Sequence, residues 1–295
     1  MGMDRPPCGL FVGLCTVDIQ YLVDSVPQPD DKTAARELAV AAGGPATNAA
    51  VAFAHLGGES RLLTRIGTHP FTTFMEADLR RCRVRAIDLD PGETALPTVS
   101  SIVSIPATAQ RSIVTFRAES AIEPDGRLLS ASLDGVDIVL LDGFHLNAAL
   151  AIATLARRRG IPVVLDGGSW HEGMASLLPL VEIAICAETF RPPGTESPAS
   201  VFQYLTTQGV THSAITAGGE AILWNRDGRV AGLPVEHIDA VDTSGAGDFL
   251  HGAFCAAYAR RGDFVAALEV ASRVATRSCQ SFGTRAWLRE EDPAP

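Results

Sequence analysis

Residues 136–165 read VDIVLLDGFHLNAALAIATLARRRGIPVVL. Val136 to Leu141 is a nearly unbroken apolar run, as expected of a strand covered on both faces. Leu146 to Arg159 then places apolar residues three and four apart and closes on Arg157, Arg158 and Arg159, which suit the negative end of a helix dipole. Ile161 to Leu165 is a second apolar run. The rhythm continues with a helical stretch from Met174 to Leu178, a strand from Ile183 to Cys186, a helix from Ala199 to Gln208 and a strand from Ser213 to Thr216. Strands alternating with helices of this length imply βαβ units and a mostly parallel sheet, so the fold class is α/β.

Working outward, Leu10 to Cys15 reads as a first buried strand with Asp18 beyond its carboxyl end, where open α/β sheets bind ligands. Ala46 to Leu56 is almost entirely small or apolar and stops at Gly57 and Gly58, which predicts a tightly packed helix. A strand (Ser60 to Ile66) and a helix (Phe71 to Arg83) follow. Segments 20–42 and 97–117 have the turns and the Val, Ile, Ser and Thr content of short strands outside the main sheet, and together are expected to form a small β lid. A hairpin (Ile222 to Trp224 and Val230 to Leu233) precedes two closing helices, Ala246 to Arg261 and Phe264 to Phe282. The whole chain, 1–295, reads as a single domain.

Composition excludes several classes. The formal charge is −10, and no basic cluster exceeds the three arginines named above, so nucleic acid is not an expected partner. Six cysteines without a C-x-x-C pair read as reduced, buried side chains. No apolar stretch is long enough for a membrane span, and a cytoplasmic location is expected. The histidines lack ligand spacing for a structural zinc. Lys32 is the only lysine, and its context, Asp31-Lys32-Thr33, has none of the glycines of a phosphate-binding loop. If this protein moves a phosphoryl group, backbone amides, metal and arginine must offset the charge.

The chemistry concentrates in two glycine motifs. In Asp242-Thr243-Ser244-Gly245-Ala246-Gly247-Asp248, the glycines allow a sharp turn and leave no side chain between the amides and an approaching anion. The helix that begins there aims free N–H groups at that spot, and Asp248 lies one turn inside it. An isolated Gly-x-Gly is more often a plain helix start. Gly43-Gly44-Pro45-Ala46-Thr47-Asn48 also opens a small-residue helix, with Asn48 able to hydrogen-bond a polyhydroxylated ligand.

The order of these features resembles the ribokinase (PfkB) family of carbohydrate kinases over roughly Leu10 to Trp287. That resemblance implies a ribokinase-like three-layer sandwich with a small β lid, and an ATP-dependent transfer to a hydroxyl, usually a primary alcohol, of a sugar or sugar derivative. It implies that Asp248 is the catalytic base, with Gly245, Ala246 and Gly247 as the anion hole. Asp18, Gly43, Gly44, Asn48 and Asp142 look like sugar-binding positions. Thr216 and Gly218 resemble the turn under the ATP phosphates, Ala271 and Ala275 stand where the adenine pocket is lined, and Asp242 and Thr243 lie where a monovalent cation such as K⁺ would sit. A homodimer through lid contacts is a family-level expectation.

Departures from the family pattern qualify the implied magnesium site. Ala187-Glu188-Thr189-Phe190 stands where an Asn-x-x-Glu is usual, leaving Glu188, acting through a water, as the one acid toward Mg²⁺. Gly67-Thr68-His69-Pro70 lacks an expected aspartate. A nucleoside kinase of the same family and a catalytically impaired sugar- or nucleotide-binding regulator remain alternatives. A dinucleotide dehydrogenase is weaker, since no G-x-G-x-x-G follows an early strand. His145 and His251 are the histidines to watch near the cleft.

Overall fold

The computed structural model describes residues 5–30, 32–108, 110–118 and 123–289. In chain order the elements are β1 (Cys8–Val12), β2 (Thr16–Leu22), β3 (Glu37–Gly43), α1 (Pro45–His55), β4 (Glu59–Thr64), α2 (Pro70–Arg81), β5 (Val84–Asp88), β6 (Val99–Ile105) and β7 (Gln110–Phe116). Then come α3 (Gly126–Ser132), β8 (Ile138–Leu141), α4 (Leu146–Arg158), β9 (Val163–Gly167), α5 (Met174–Leu177), β10 (Ile183–Ala187), α6 (Pro198–Thr207) and β11 (His212–Thr216). The hairpin β12 (Ile222–Arg226) and β13 (Arg229–Leu233) precedes α7 (Ala246–Arg261) and α8 (Phe264–Ser278).

Among the described residues, nine strands form one sheet in the order β13-β12-β11-β10-β9-β8-β1-β4-β5. All pairings are parallel except those of the β12–β13 hairpin, which run antiparallel at one edge. Period-two alternation divides the side chains between two helical layers. Phe11, Leu62, Ile183 and Ile185 join one core with residues of α1, α7 and α8. Leu10, Val12, Leu63, Ala184 and Cys186 join the other, with residues of α4, α5 and α6. The result is a three-layer α/β sandwich. Phe11 and Phe53 meet edge to face with centroids 5.3 Å apart, an arrangement worth about 0.5–1.5 kcal/mol beyond the area it buries.

A second sheet, β3-β2-β6-β7, stands apart from the main one. Its strands β2 (16–22) and β3 (37–43) overrun the first expected lid segment, 20–42, at both ends, while β6 (99–105) and β7 (110–116) fall within the second, 97–117. The first strand ends earlier than the apolar run suggested: β1 stops at Val12, and Asp18 lies inside β2 of the small sheet rather than beyond the end of a main-sheet strand. The apolar residues of 10–15 are thus shared between two sheets. The sequence reading also missed β5 and α3. β5 (Val84-Arg85-Ala86-Ile87-Asp88) is an edge strand interrupted by the charged Arg85 and Asp88, so it lacks the continuous apolar signature of its neighbours.

Two helices carry the principal motif residues, and their closeness has a simple cause. A Cβ on Gly252 in α7 would lie 2.1 Å from the carbonyl oxygen of Ala49 in α1. With hydrogen there instead, the backbones of α1 and α7 approach closely enough for Asn48 and Asp248 to touch.

Candidate active site

The carboxyl ends of the parallel strands lie along one edge of the main sheet, where ligands bind in such folds. Asp142 follows β8, Asp166 is the penultimate residue of β9, Glu188 follows β10 and Thr216 ends β11. Asp248 reaches this edge from the first turn of α7, after Gly245, which adopts φ 77° immediately before the helix. The helix leaves its first amides without intrahelical acceptors, so the turn 245–248 presents N–H groups beside a carboxylate.

Asp248 sits in a wired environment. Asn48 Nδ2 donates to Asp248 Oδ2 (2.9 Å), and Arg285 Nη1 donates to Asn48 Oδ1 (3.1 Å). A guanidinium has only donors, so Arg285 forces the oxygen of Asn48 toward itself and the NH₂ toward Asp248. Arg285 is held in turn by Asp78, through Nε to Oδ2 at 3.1 Å, and by the carbonyl oxygen of Ala42. Asp78 also accepts from the amide of Ala42 (3.1 Å) and from Arg81 (2.6 Å). Burial first, then the negative charge of Asp166, pushes the Asp248 carboxyl up to about 7, while Asn48 and His251 oppose the rise. Such a group ionises near neutrality, which suits a general base.

His251, one turn along α7, faces the carbonyl oxygens of Gly247 (2.7 Å) and Ile185 (3.0 Å) and lies 3.4 Å from Asp166. It braces α7 against β10. Asp166 itself is buried, and burial raises its carboxyl above the usual range.

On the small sheet, Asp18 is buried and accepts from the hydroxyl of Thr16. Burial raises its carboxyl, and the nearby Arg285 charge opposes this. Gly43 faces it so closely that a Cβ would fall 1.8 Å from Asp18 Oδ2. Asp142 is buried at the centre of the edge. Its carboxylate accepts from the amides of Leu14 (2.8 Å), Ala46 (3.2 Å) and Phe144 (3.0 Å), and burial pushes it up to about 7 despite these donors. It therefore ties the turn after β1 to the start of α1, next to Gly44.

The loop before α7 is fastened to the small sheet. Asp242 accepts from Ser104 of β6 (3.3 Å), from the amide of Ser244 (3.0 Å) and from the amide of Gly283 (3.0 Å). Arg111 of β7 donates to both the hydroxyl (2.8 Å) and the carbonyl (3.0 Å) of Thr243. On the far side, the Glu188 amide donates to the Thr216 carbonyl (2.8 Å), and Gly218 turns with φ 57°. The Glu188 side chain is exposed. Ala271, expected near the adenine pocket, is wholly buried within the core, and Ala275, one turn on, is partly buried.

The structure thus unites Asp18, Gly43, Asn48 and Asp248, sets Asp142 beneath Gly44, and places Thr216 and Glu188 together. Arg285, Asp78, Asp166 and Arg111 were not anticipated. Asp166 carried a usable signal, an acid at the carboxyl end of a parallel strand. Arg285 and Asp78 lie in no motif, and Arg285 acts on a residue 237 positions away.

Comparison with known proteins points one way. A family model described as pfkB family carbohydrate kinase matches residues 10–291. A ribokinase of Bacillus subtilis (strain 168) is 26% identical over 282 residues, covering 93% of each chain. Among solved structures, a candidate ribokinase from Agrobacterium tumefaciens aligns with a TM-score of 0.84 at 26% identity, covering 97% of this chain and 100% of that one. An Arabidopsis thaliana ribokinase complexed with ribose and ATP aligns with a TM-score of 0.73 at 21% identity, over 97% of this chain and 100% of its own.

Proposed function

Because this chain belongs to the pfkB family of carbohydrate kinases, and so phosphorylates a sugar with ATP, we propose that Asp248 is the base for a sugar hydroxyl held among Asp18, Asn48 and the Gly43–Gly44 turn. The observation that carries this reading is the Asp248–Asn48–Arg285 chain, which fixes a carboxylate ionising near neutrality at the N-terminus of α7.

In the proposed reaction the hydroxyl oxygen attacks the γ-phosphorus while its proton passes to Asp248. The new O–P bond forms as the bond to ADP breaks. Amides of the turn 245–248 offset charge on the transferred group. Asp18 accepts a second hydroxyl of the sugar, and Asp142 acts by holding the Leu14 and Ala46 amides that shape the floor. The small sheet serves as the lid, its closure keeping water from competing as acceptor. By register Leu38, Val40, Val114 and Phe116 share one face of that sheet and are exposed, which supports a homodimer through it.

Magnesium supplies charge neutralisation on the phosphates when bound. No group of three or more His, Cys, Asp or Glu among the described residues is arranged to hold a metal. That fits a metal carried mainly by ATP and waters, with Glu188 reaching it through a water. For a monovalent cation, the three donors on Asp242 leave it about one lone-pair site, so carbonyl oxygens would supply most of the coordination. Incubation of sugars, sugar acids and nucleosides with Mg-ATP, read by ADP release and mass spectrometry, should yield a phosphorylated sugar; binding without any product would sink the reading.

A further inference from the structure

Next to the proposed sugar site lies a cavity of about 30 Å³, walled among others by Leu14, Arg65, Glu93, Thr98 and His145. A space of that size admits one or two water-sized groups. It shares a wall with the sugar site, because Leu14 lines the cavity while its amide donates to Asp142 and its carbonyl accepts from Thr47 (2.9 Å).

Among the described residues, two buried polar atoms in this wall have no hydrogen-bond partner: Nε of Arg65 and Nε2 of His145. The Arg65 side chain is only 10% exposed. Its Nη2 is engaged by Glu93, and Asp90 lies 3.7 Å from Nε, beyond hydrogen-bond reach. His145 is the residue before α4 and holds φ 51° and ψ 52° without capping that helix through its side chain. A non-glycine residue held in that region commonly marks a functional constraint. Burial and the neighbouring Arg65 charge depress the imidazole to about 4, so it is neutral at pH 7.

The chemistry of the two orphans selects an occupant. Arg65 Nε is a donor only, whereas a neutral imidazole nitrogen can accept. A hydroxyl satisfies both, accepting from one and donating to the other; a methylene satisfies neither. Glu93 and Asp90 already balance the Arg65 charge, so nothing favours an anion. We propose that this cavity is a specificity subsite that admits one neutral hydroxyl of the acceptor, accepting from Arg65 and donating to His145, and thereby rejects acceptors that lack it. The inference rests on the sugar-binding assignment made above.

The test compares D-ribose and D-fructose, each against its monodeoxy analogues, by kcat/KM and by calorimetric affinity. One deoxy position should cost the wild-type protein about 10- to 100-fold, the effect of leaving a buried polar group unpaired. In His145→Gly, which suits the positive φ and removes the ring, that ratio should collapse to within about 3-fold because the partner group is gone. Arg65→Lys, which keeps the charge for Glu93 and Asp90 but displaces the donor, should do the same, with thermal unfolding confirming that each variant is folded. A wild-type protein indifferent to every deoxy position, or variants that keep the wild-type ratio, would overturn the subsite. Calorimetric discrimination without phosphorylated product would instead refute the kinase chemistry and leave the subsite standing.

Discussion

The two sides of the cleft are built by different means. On the acceptor side, side chains from distant parts of the chain hold one another: Asp78 holds Arg285, Arg285 holds Asn48, and Asn48 holds Asp248. On the proposed nucleotide side the features are a backbone turn at Gly218, a helix N-terminus and an exposed Glu188. Side-chain identity should therefore matter greatly where the sugar binds and little where the phosphates bind, since backbone amides survive most substitutions.

The sharpest test is Asp248→Asn, expected to lower kcat about 10²–10⁴-fold, the usual cost of losing a positioned base. Calorimetry should show ATP and sugar still binding, because asparagine keeps the size of the side chain and the amides are untouched. A variant that retains most of the wild-type rate would mean the base has been misassigned.

Gly43→Ala comes next. Its methyl would displace the Asp18 carboxylate, so KM for the sugar should rise about 10- to 100-fold, the range for losing a hydrogen bond to a charged group. KM for ATP should stay put; a parallel rise in both would dissolve the distinction between the two sides.

A subtler effect concerns pH. As the proposed base, Asp248 would work when ionised, and its carboxyl is raised to about 7, so kcat/KM should climb with pH through that value. Arg285→Lys keeps a cation for Asp78 but loses the fork that orients Asn48, and should shift this limb upward, with a loss at pH 7 of about 2- to 10-fold, the worth of one hydrogen bond. An unmoved limb would confine Arg285 to a structural role. The same elevation has a stability counterpart: a carboxyl raised on folding binds its proton more tightly in the native state, so its contribution falls as pH rises from about 4 to 7. The smallest effect belongs to Glu188→Gln, expected to alter the magnesium dependence of the rate by about 2-fold or less, since an exposed carboxylate acting through water contributes little. A larger change would break the contrast from the other side.

How much was legible beforehand follows from the same contrast. The turn 242–248 and the run 43–48 announce themselves as a pair, because either glycine motif alone would read as a plain helix start but the two occur in order, each ahead of a small-residue helix; the alternation from Val136 to Thr216 gives the parallel sheet directly. Asp18 reads in the sequence as an acid at the end of a main-sheet strand but lies inside β2 of the small sheet, since an apolar run cannot show that the chain passes from one sheet to another at Gly13. Arg285 and Asp78 left no local trace, because their partners are set by tertiary packing, including the approach that Gly252 permits.

The bond from Arg111 to Thr243 carries a thermodynamic corollary. If the small sheet swings to admit sugar, it must release the loop beside the phosphates, and closing over sugar restores it. Coupling of this kind is reciprocal: whatever sugar gains from an ordered loop, ATP gains from a closed sheet. Each substrate would then tighten the other, and a complex holding ATP alone would spend much of its time unlatched, with a poorly assembled anion hole and little idle hydrolysis.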